Sequence, residues 1–235
     1  MTGSSIQAVV FDRDGVLTYF DTEAAAAYYH PLLPISIYEL AVEWQKWGAK
    51  NGFPSSVAEE QHFFLRFWTY IGDQYALPSA HTEKLKTSRY IDYVRPFPDA
   101  RPALIEAKER GLQTAVLSNF TLASLEESLI AAGLYDLVDL ACASTVIGAA
   151  KPEPDAYLIV SSTLGVRPEQ CLFFDDEEEC VTGGSSVGMH AYLVDRRRHL
   201  PIGETKSVQD LGAVGSILDA YGVDRSSTAG RRDGL

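Results

Sequence analysis

Little in this sequence could staple the chain or bind a soft metal. Its three cysteines, Cys142, Cys171 and Cys180, form no even framework and no zinc-type spacing, so a reducing compartment is expected. The five histidines share no metal-ligand spacing. No apolar run approaches the roughly 20 residues that a membrane helix needs. The N-terminus lacks a charged region followed by an apolar one. A soluble, cytoplasmic protein is therefore expected. Basic residues are also scarce: 20 Lys and Arg stand against 32 Asp and Glu, a formal net charge of −12. Phosphate backbones and anionic lipids need clustered cations, which excludes nucleic acid and membrane as default partners. A small phosphate remains compatible, provided that local cations or a metal reverse the field. The sequence holds no internal repeat and no coiled coil.

What is present begins at Ile6. Ala8 to Phe11 is a continuous apolar run that stops at Asp12-Arg13-Asp14-Gly15. Such a run reads as a strand buried on both faces, as in parallel sheets. Two carboxylates then stand at its carboxyl end, where open α/β sheets bind their ligands. As hard oxygen donors, Asp12 and Asp14 can share a cation such as Mg²⁺ and leave an oxygen free to attack.

From Thr18 to Tyr93 the texture is different. Residues 23–30 are rich in alanine and glutamate, good helix formers. Ile37, Leu40, Ala41, Trp44 and Trp47 recur at helical spacing, and so do apolar residues from Val57 to Tyr70. All three tryptophans lie here and little alternates with period two. Residues 18–93 are expected to form a small helical domain, with loops at 50–54 and 77–79. Residues 1–17 and 94–223 form the α/β core.

In that core, helices are expected over 100–111, 122–133, 151–165, 181–188 and 208–221. They alternate with strands over 113–118, 137–143, 170–174 and 191–194. Arg196-Arg197-Arg198 reads as a solvated turn, and residues 224–235 as a disordered tail. Strands alternating with helices give a parallel sheet with right-handed crossovers, so Asp12/Asp14, Ser118/Asn119 and Asp175/Asp176 share one edge. Lys151 opens a helix nearby. Acidic groups, a hydroxyl, an amide and an ammonium suit phosphoryl transfer: a carboxylate attacks phosphorus once a divalent cation and a lysine offset the repulsion.

The chain resembles the haloacid dehalogenase-like superfamily in four segments of matching order. These are Phe11-Asp12-Arg13-Asp14-Gly15-Val16-Leu17, Leu117-Ser118-Asn119, Lys151-Pro152-Glu153-Pro154, and Phe174-Asp175-Asp176 with Gly188-Met189. The resemblance implies a Rossmann-like α/β core with an inserted α-helical cap at 18–93. It implies Asp12 as a nucleophile that forms an aspartyl-phosphate, and Asp14 as the acid and base. Ser118 and Asn119 would hold the phosphoryl oxygens, with Lys151 steadying nucleophile and phosphate. Mg²⁺ would be held by Asp12, the Asp14 carbonyl and Asp176, with Asp175 the alternative to Asp176. Cys180 stands where the family often carries Asp or Asn. The expectation is a Mg²⁺-dependent phosphatase acting on a small phosphate monoester, as a monomer or homodimer. A sugar phosphomutase, a 2-haloacid dehalogenase and a non-catalytic binding module are the alternatives. The dehalogenase branch typically lacks a second aspartate, so Asp14 counts against it. His30 in the cap reads as an ordinary hydrogen-bonded histidine, and Cys180 as a small buried side chain.

Overall fold

The structure, a computed structural model, describes residues 5–197 and 206–225. Strand β1 (Ala8–Phe11) is buried at every position. A tight turn follows, then β2 (Thr18–Phe20) and four helices: α1 (Thr22–Tyr29), α2 (Ile37–Asn51), α3 (Val57–Gln74) and α4 (Ser79–Lys86). The first three are stopped at their N-termini by side chains that accept otherwise unpaired backbone N–H groups. Asp21 accepts from Ala24, Ser36 from Glu39 in a reciprocal box, and Ser56 from Glu59. The fourth helix was not expected from the sequence: it has no side-chain cap and buries only Leu85, so no apolar stripe marks it. The chain then returns through β3 (Val94–Pro96), which pairs antiparallel with β2, Thr18 opposite Pro96 and Phe20 opposite Val94. That two-stranded ribbon was not expected either, because three-residue strands carry too few positions to show alternation.

The rest alternates helix and strand: α5 (Ala100–Glu109), β4 (Gln113–Ser118), α6 (Leu125–Ala131), β5 (Leu140–Ala143), α7 (Ser144–Ile147) and α8 (Pro154–Thr163). Then come β6 (Cys171–Asp175), α9 (Glu178–Ser186), β7 (His190–Val194), β8 (Ser207–Val208) and α10 (Val214–Ala220). Among the described residues, six strands form one parallel sheet in the order β5-β4-β1-β6-β7-β8. Strand β4 has the expected bounds, whereas β5 is shorter because Tyr135–Leu137 wind into a 3₁₀ turn. Helix α6 starts at Leu125, not at residue 122. Helix α9 starts at Glu178 rather than at residue 181. Its glycines answer to packing: a Cβ on Gly183 would lie 2.5 Å from the Pro152 carbonyl oxygen, and one on Gly184 would lie 2.8 Å from the Phe173 ring.

Alternate residues of β1 feed opposite faces of the sheet. Val9 and Phe11 pack with Leu104, Leu125 and Leu218 of α5, α6 and α10. Ala8 and Val10 pack with Tyr157, Val160 and Val181 of α8 and α9. The helices between β2 and β3 own a third cluster, including Tyr29, Leu40, Phe67, Trp68 and Ile71. Two polar contacts tie these helices to the loop after β4. Trp44 Nε1 donates to Thr121 Oγ1 at 3.1 Å. Glu60 of α3 accepts from the Ser124 hydroxyl at 2.6 Å and its backbone N–H at 2.9 Å. Of the expected tail, residues 226–235 lie outside the described residues; Arg225 pairs with Glu106. No described helix is long and apolar enough to cross a membrane.

Candidate active site

Strand β1 lies between β4 and β6, with Phe11 level with Val116 and Phe174. Its last sheet hydrogen bond runs from the Asp12 N–H to the Phe174 carbonyl, at 2.8 Å. Asp12 therefore emerges at the middle of the sheet edge and is only 7% exposed. Gly15 then takes φ +76°, and a Cβ there would meet Asp176 Oδ2 at 2.0 Å. Both the turn and the close approach of Asp176 require glycine. Residues 196–197 form the expected turn with Arg197 exposed, but Arg196 reaches back and braces this loop. Its guanidinium donates to the carbonyls of Gly15 and Val16 at 3.0 and 2.6 Å, pairs with Asp99, and lies 3.7 Å over the Phe97 ring. Arg198, the last of that run, lies outside the described residues.

Lys151 is the hub. Its ammonium is 2.8 Å from Asp12 Oδ1 and 2.5 Å from Asp175 Oδ2, and all three side chains are at most 10% exposed. The lysine is aimed by its own backbone: the Asn119 amide accepts from the Lys151 N–H at 2.8 Å and donates to its carbonyl at 2.7 Å. The expected phosphate ligand Asn119 thus spends both ends of its amide on placing Lys151. Ser118, at the end of β4, is 2% exposed. No cap for α6, its hydroxyl donates to none of the described residues. Asp175 also accepts from the Glu177 N–H at 2.9 Å. Of the aspartate pair at the end of β6, Asp175 is buried and serves Lys151, whereas Asp176 is exposed.

The cluster is short of positive charge. Burial, with the Asp175 charge adding to it and Lys151 opposing, pushes the Asp12 carboxyl up to about 7. Desolvation and the neighbouring Asp175 and Glu177 raise Asp176 to about 6. Burial would lower the Lys151 ammonium, but Asp12 and Asp175 outweigh it and hold the group above its ordinary value. Carboxylate oxygens of Asp12, Asp175 and Asp176 lie within 4.8 Å of one another. Asp12 Oδ1 is buried and, despite the ammonium nearby, has no aligned hydrogen bond. A hard divalent cation fits this oxygen set. Cys180 is buried as expected, its thiol 3.2 Å from the Glu177 carboxylate, and burial pushes that thiol up. Asp175, Glu177 and Cys180 also lie within ligand distance of one another.

Asp14 leaves the loop toward the helices, its side chain 48% exposed. The neighbouring Arg13 is fully buried, which nothing in the local sequence signals. Its guanidinium pairs with Asp14 at 2.5 Å, donates to Ser128 and Tyr90, and stacks 3.7 Å over Phe120. Between Asp14 and the helices lies a cavity of about 410 Å³, whose wall includes Asn119, Trp44, Phe64 and Trp68. His30 is exposed and outside that wall.

A profile of the haloacid dehalogenase-like hydrolases matches residues 6–188. The chain belongs to that family. This hydrolase is 40% identical over 221 residues to a protein named Phosphatase MT3486 of Mycobacterium tuberculosis, a match spanning 93% of this chain and 99% of the other. A phosphoserine phosphatase of Thermus thermophilus is 34% identical over 101 residues, 43% of this chain and 41% of its own. Among solved structures, the L-2-haloacid dehalogenase of Xanthobacter autotrophicus with chloropropionic acid covalently bound superposes with TM-score 0.65 at 21% identity. That match covers 91% of this chain and 98% of the other. A phosphatase of the same family from Thermococcus onnurineus gives 0.63 at 23% identity, over 94% and 100%. At such identities these likenesses are of fold alone. The parallel sheet with flanking helices is the fold of this family.

Proposed function

We propose that this hydrolase is a phosphatase that cleaves a small phosphate monoester through Asp12. The observation that carries the reading is the buried Asp12–Lys151–Asp175 cluster, with Asp14 two residues on at the mouth of a cavity. Asp12 attacks phosphorus with a carboxylate oxygen. The ester P–O bond breaks, and the leaving alkoxide takes a proton from Asp14. Water, deprotonated in turn by Asp14, then attacks the aspartyl-phosphate; its P–O bond to Asp12 breaks and phosphate leaves. Ser118 and the Lys151 ammonium hold phosphoryl oxygens, while Asp175 and Asn119 keep Lys151 in place. Mg²⁺ bound by Asp12, Asp176 and the Asp14 carbonyl would supply charge neutralisation. Helices between residues 18 and 93 act as a cap that excludes water, and the enzyme works in the cytoplasm, where three free buried cysteines stay reduced.

A panel of phosphate monoesters and chloroacetate, each with Mg²⁺ or with EDTA, tests this reading. Phosphate release that EDTA stops and Asp12→Asn abolishes is the expected result. Halide release that survives EDTA, with no phosphate from any ester, would overturn it in favour of a dehalogenase.

A further inference from the structure

We propose that the alcohol half of the substrate is an uncharged, hydrocarbon-rich group. This deepens the phosphatase reading and rests on it. The cavity of about 410 Å³ lies within the range of small-molecule sites. It opens against Asp14 and Asn119, the neighbours of the reacting carboxylate and of Ser118, so a phosphate held there sends its ester group into it. Most of its wall is aromatic or aliphatic: Leu40, Trp44, Phe64, Phe67 and Trp68 from the helices face Phe120 beyond β4. Among the described residues its only charged ones are Arg13 and Asp14, paired with each other at 2.5 Å. Arg13 is moreover spent on Ser128, Tyr90 and the Phe120 face.

Among the described residues, no cation in that wall is left for a second anionic group. A sugar bisphosphate or a phosphorylated amino acid would bury its second phosphate or its carboxylate unpaired, which is costly. Most polar groups of the wall are already engaged, Tyr29 with Ser88, Tyr90 with Arg13 and Thr121 with Trp44, which leaves chiefly Tyr38 and Gln45 to sugar hydroxyls. An alkyl or aryl group has the opposite balance, because each methylene removed from water into such a wall contributes about a fourfold gain.

The test uses the Mg²⁺-loaded protein and a homologous series of n-alkyl phosphates from ethyl to octyl. Phenyl phosphate, glycerol phosphate, O-phosphoserine and a sugar bisphosphate complete the set. The expected result is a kcat/KM that rises about fourfold per methylene until the cavity is filled. Glycerol phosphate, O-phosphoserine and the bisphosphate should fall at least about tenfold below the longer alkyl esters. Ile37→Lys, which adds a cation at the rim, should narrow that gap. A flat series, with the bisphosphate or O-phosphoserine turned over best, would overturn the inference and leave the phosphatase reading standing. If no ester is hydrolysed, the phosphatase reading fails instead. Alkylphosphonate binding, followed by tryptophan fluorescence from Trp44 and Trp68, then decides on the cavity alone. Affinity that climbs with chain length supports an apolar site, and affinity indifferent to it refutes one.

Discussion

Replacing Lys151 by methionine is the sharpest test of how charge is balanced at the sheet edge. The ammonium sits 2.8 Å from Asp12 and 2.5 Å from Asp175, and none of the three side chains is more than 10% exposed. Methionine keeps most of the stem volume and removes the charge, leaving two buried carboxylates facing each other. Breaking a buried pair in this way costs about 3–5 kcal/mol. For a chain of this size each kcal/mol moves Tm by about 2–4 °C, so the drop should be about 6–20 °C.

The pH dependence has a definite sign. Burial already raises the Asp12 carboxyl to about 7, and it raises Asp175 as well. A carboxyl that holds its proton more tightly folded than unfolded makes stability fall as pH climbs between the two values, here from about 4 to about 7. Lys151 limits that loss in the wild type. Without it both carboxyls shift further, so the deficit of Lys151→Met must be larger at pH 8 than at pH 5. Thermal unfolding by circular dichroism, in EDTA at both pH values, measures this. A deficit under about 2 °C at pH 8, or one equal at both pH values, would refute the reasoning.

Asp12→Asn should abolish phosphate release while leaving Tm unchanged or higher, since it removes one of two like charges beside Lys151. Adding MgCl₂ at about a hundredfold over its Kd should stabilise the wild type by about 2.7 kcal/mol. In Asp176→Asn that gain, read as a shift in Tm, should shrink. Cys180→Asp, which puts an oxygen donor beside Glu177, should tighten Mg²⁺ judged from the same shift; weaker binding would show that Glu177 already completes the shell. Glu60→Ala removes the carboxylate that accepts twice from Ser124 and should cost roughly 1.5–3 kcal/mol in urea unfolding. If the helices act as a cap, KM should rise with it.

Strand β4 and the start of β1 were legible in the sequence because buried parallel strands are unbroken apolar runs, and a polar residue marks where each one surfaces. That signal placed Asp12, Ser118 and the Asp175–Asp176 pair on one edge without knowledge of any contact. The ribbon of β2 and β3 left no such trace, and neither did α4, whose one fully buried side chain is Leu85. The roles inside the site were harder to read because they are settled by partners far along the chain. Asn119 reads as a ligand until Lys151, 32 positions away, is seen to take both ends of its amide. Arg196 reads as a surface turn until the carbonyls of Gly15 and Val16 arrive beneath it.

Arg13 shows the same limit from the other side. Between two aspartates, an arginine has the composition of a solvated turn, yet here it is the largest fully buried side chain among the described residues. Its charge is matched by Asp14 and its plane by Phe120, so burial leaves nothing uncompensated. The two cations that the loop after β1 commands, Arg13 and Arg196, are therefore both committed within the fold. Among the described residues, Lys151 is left alone against Asp12, Asp175 and Asp176. A chain with net charge −12 thus keeps an excess of carboxylate at the one place where a metal and a phosphate would meet. The cavity beyond adds only the Arg13–Asp14 pair among its described charges, so on the proposed reading apolar area would decide which ester group enters.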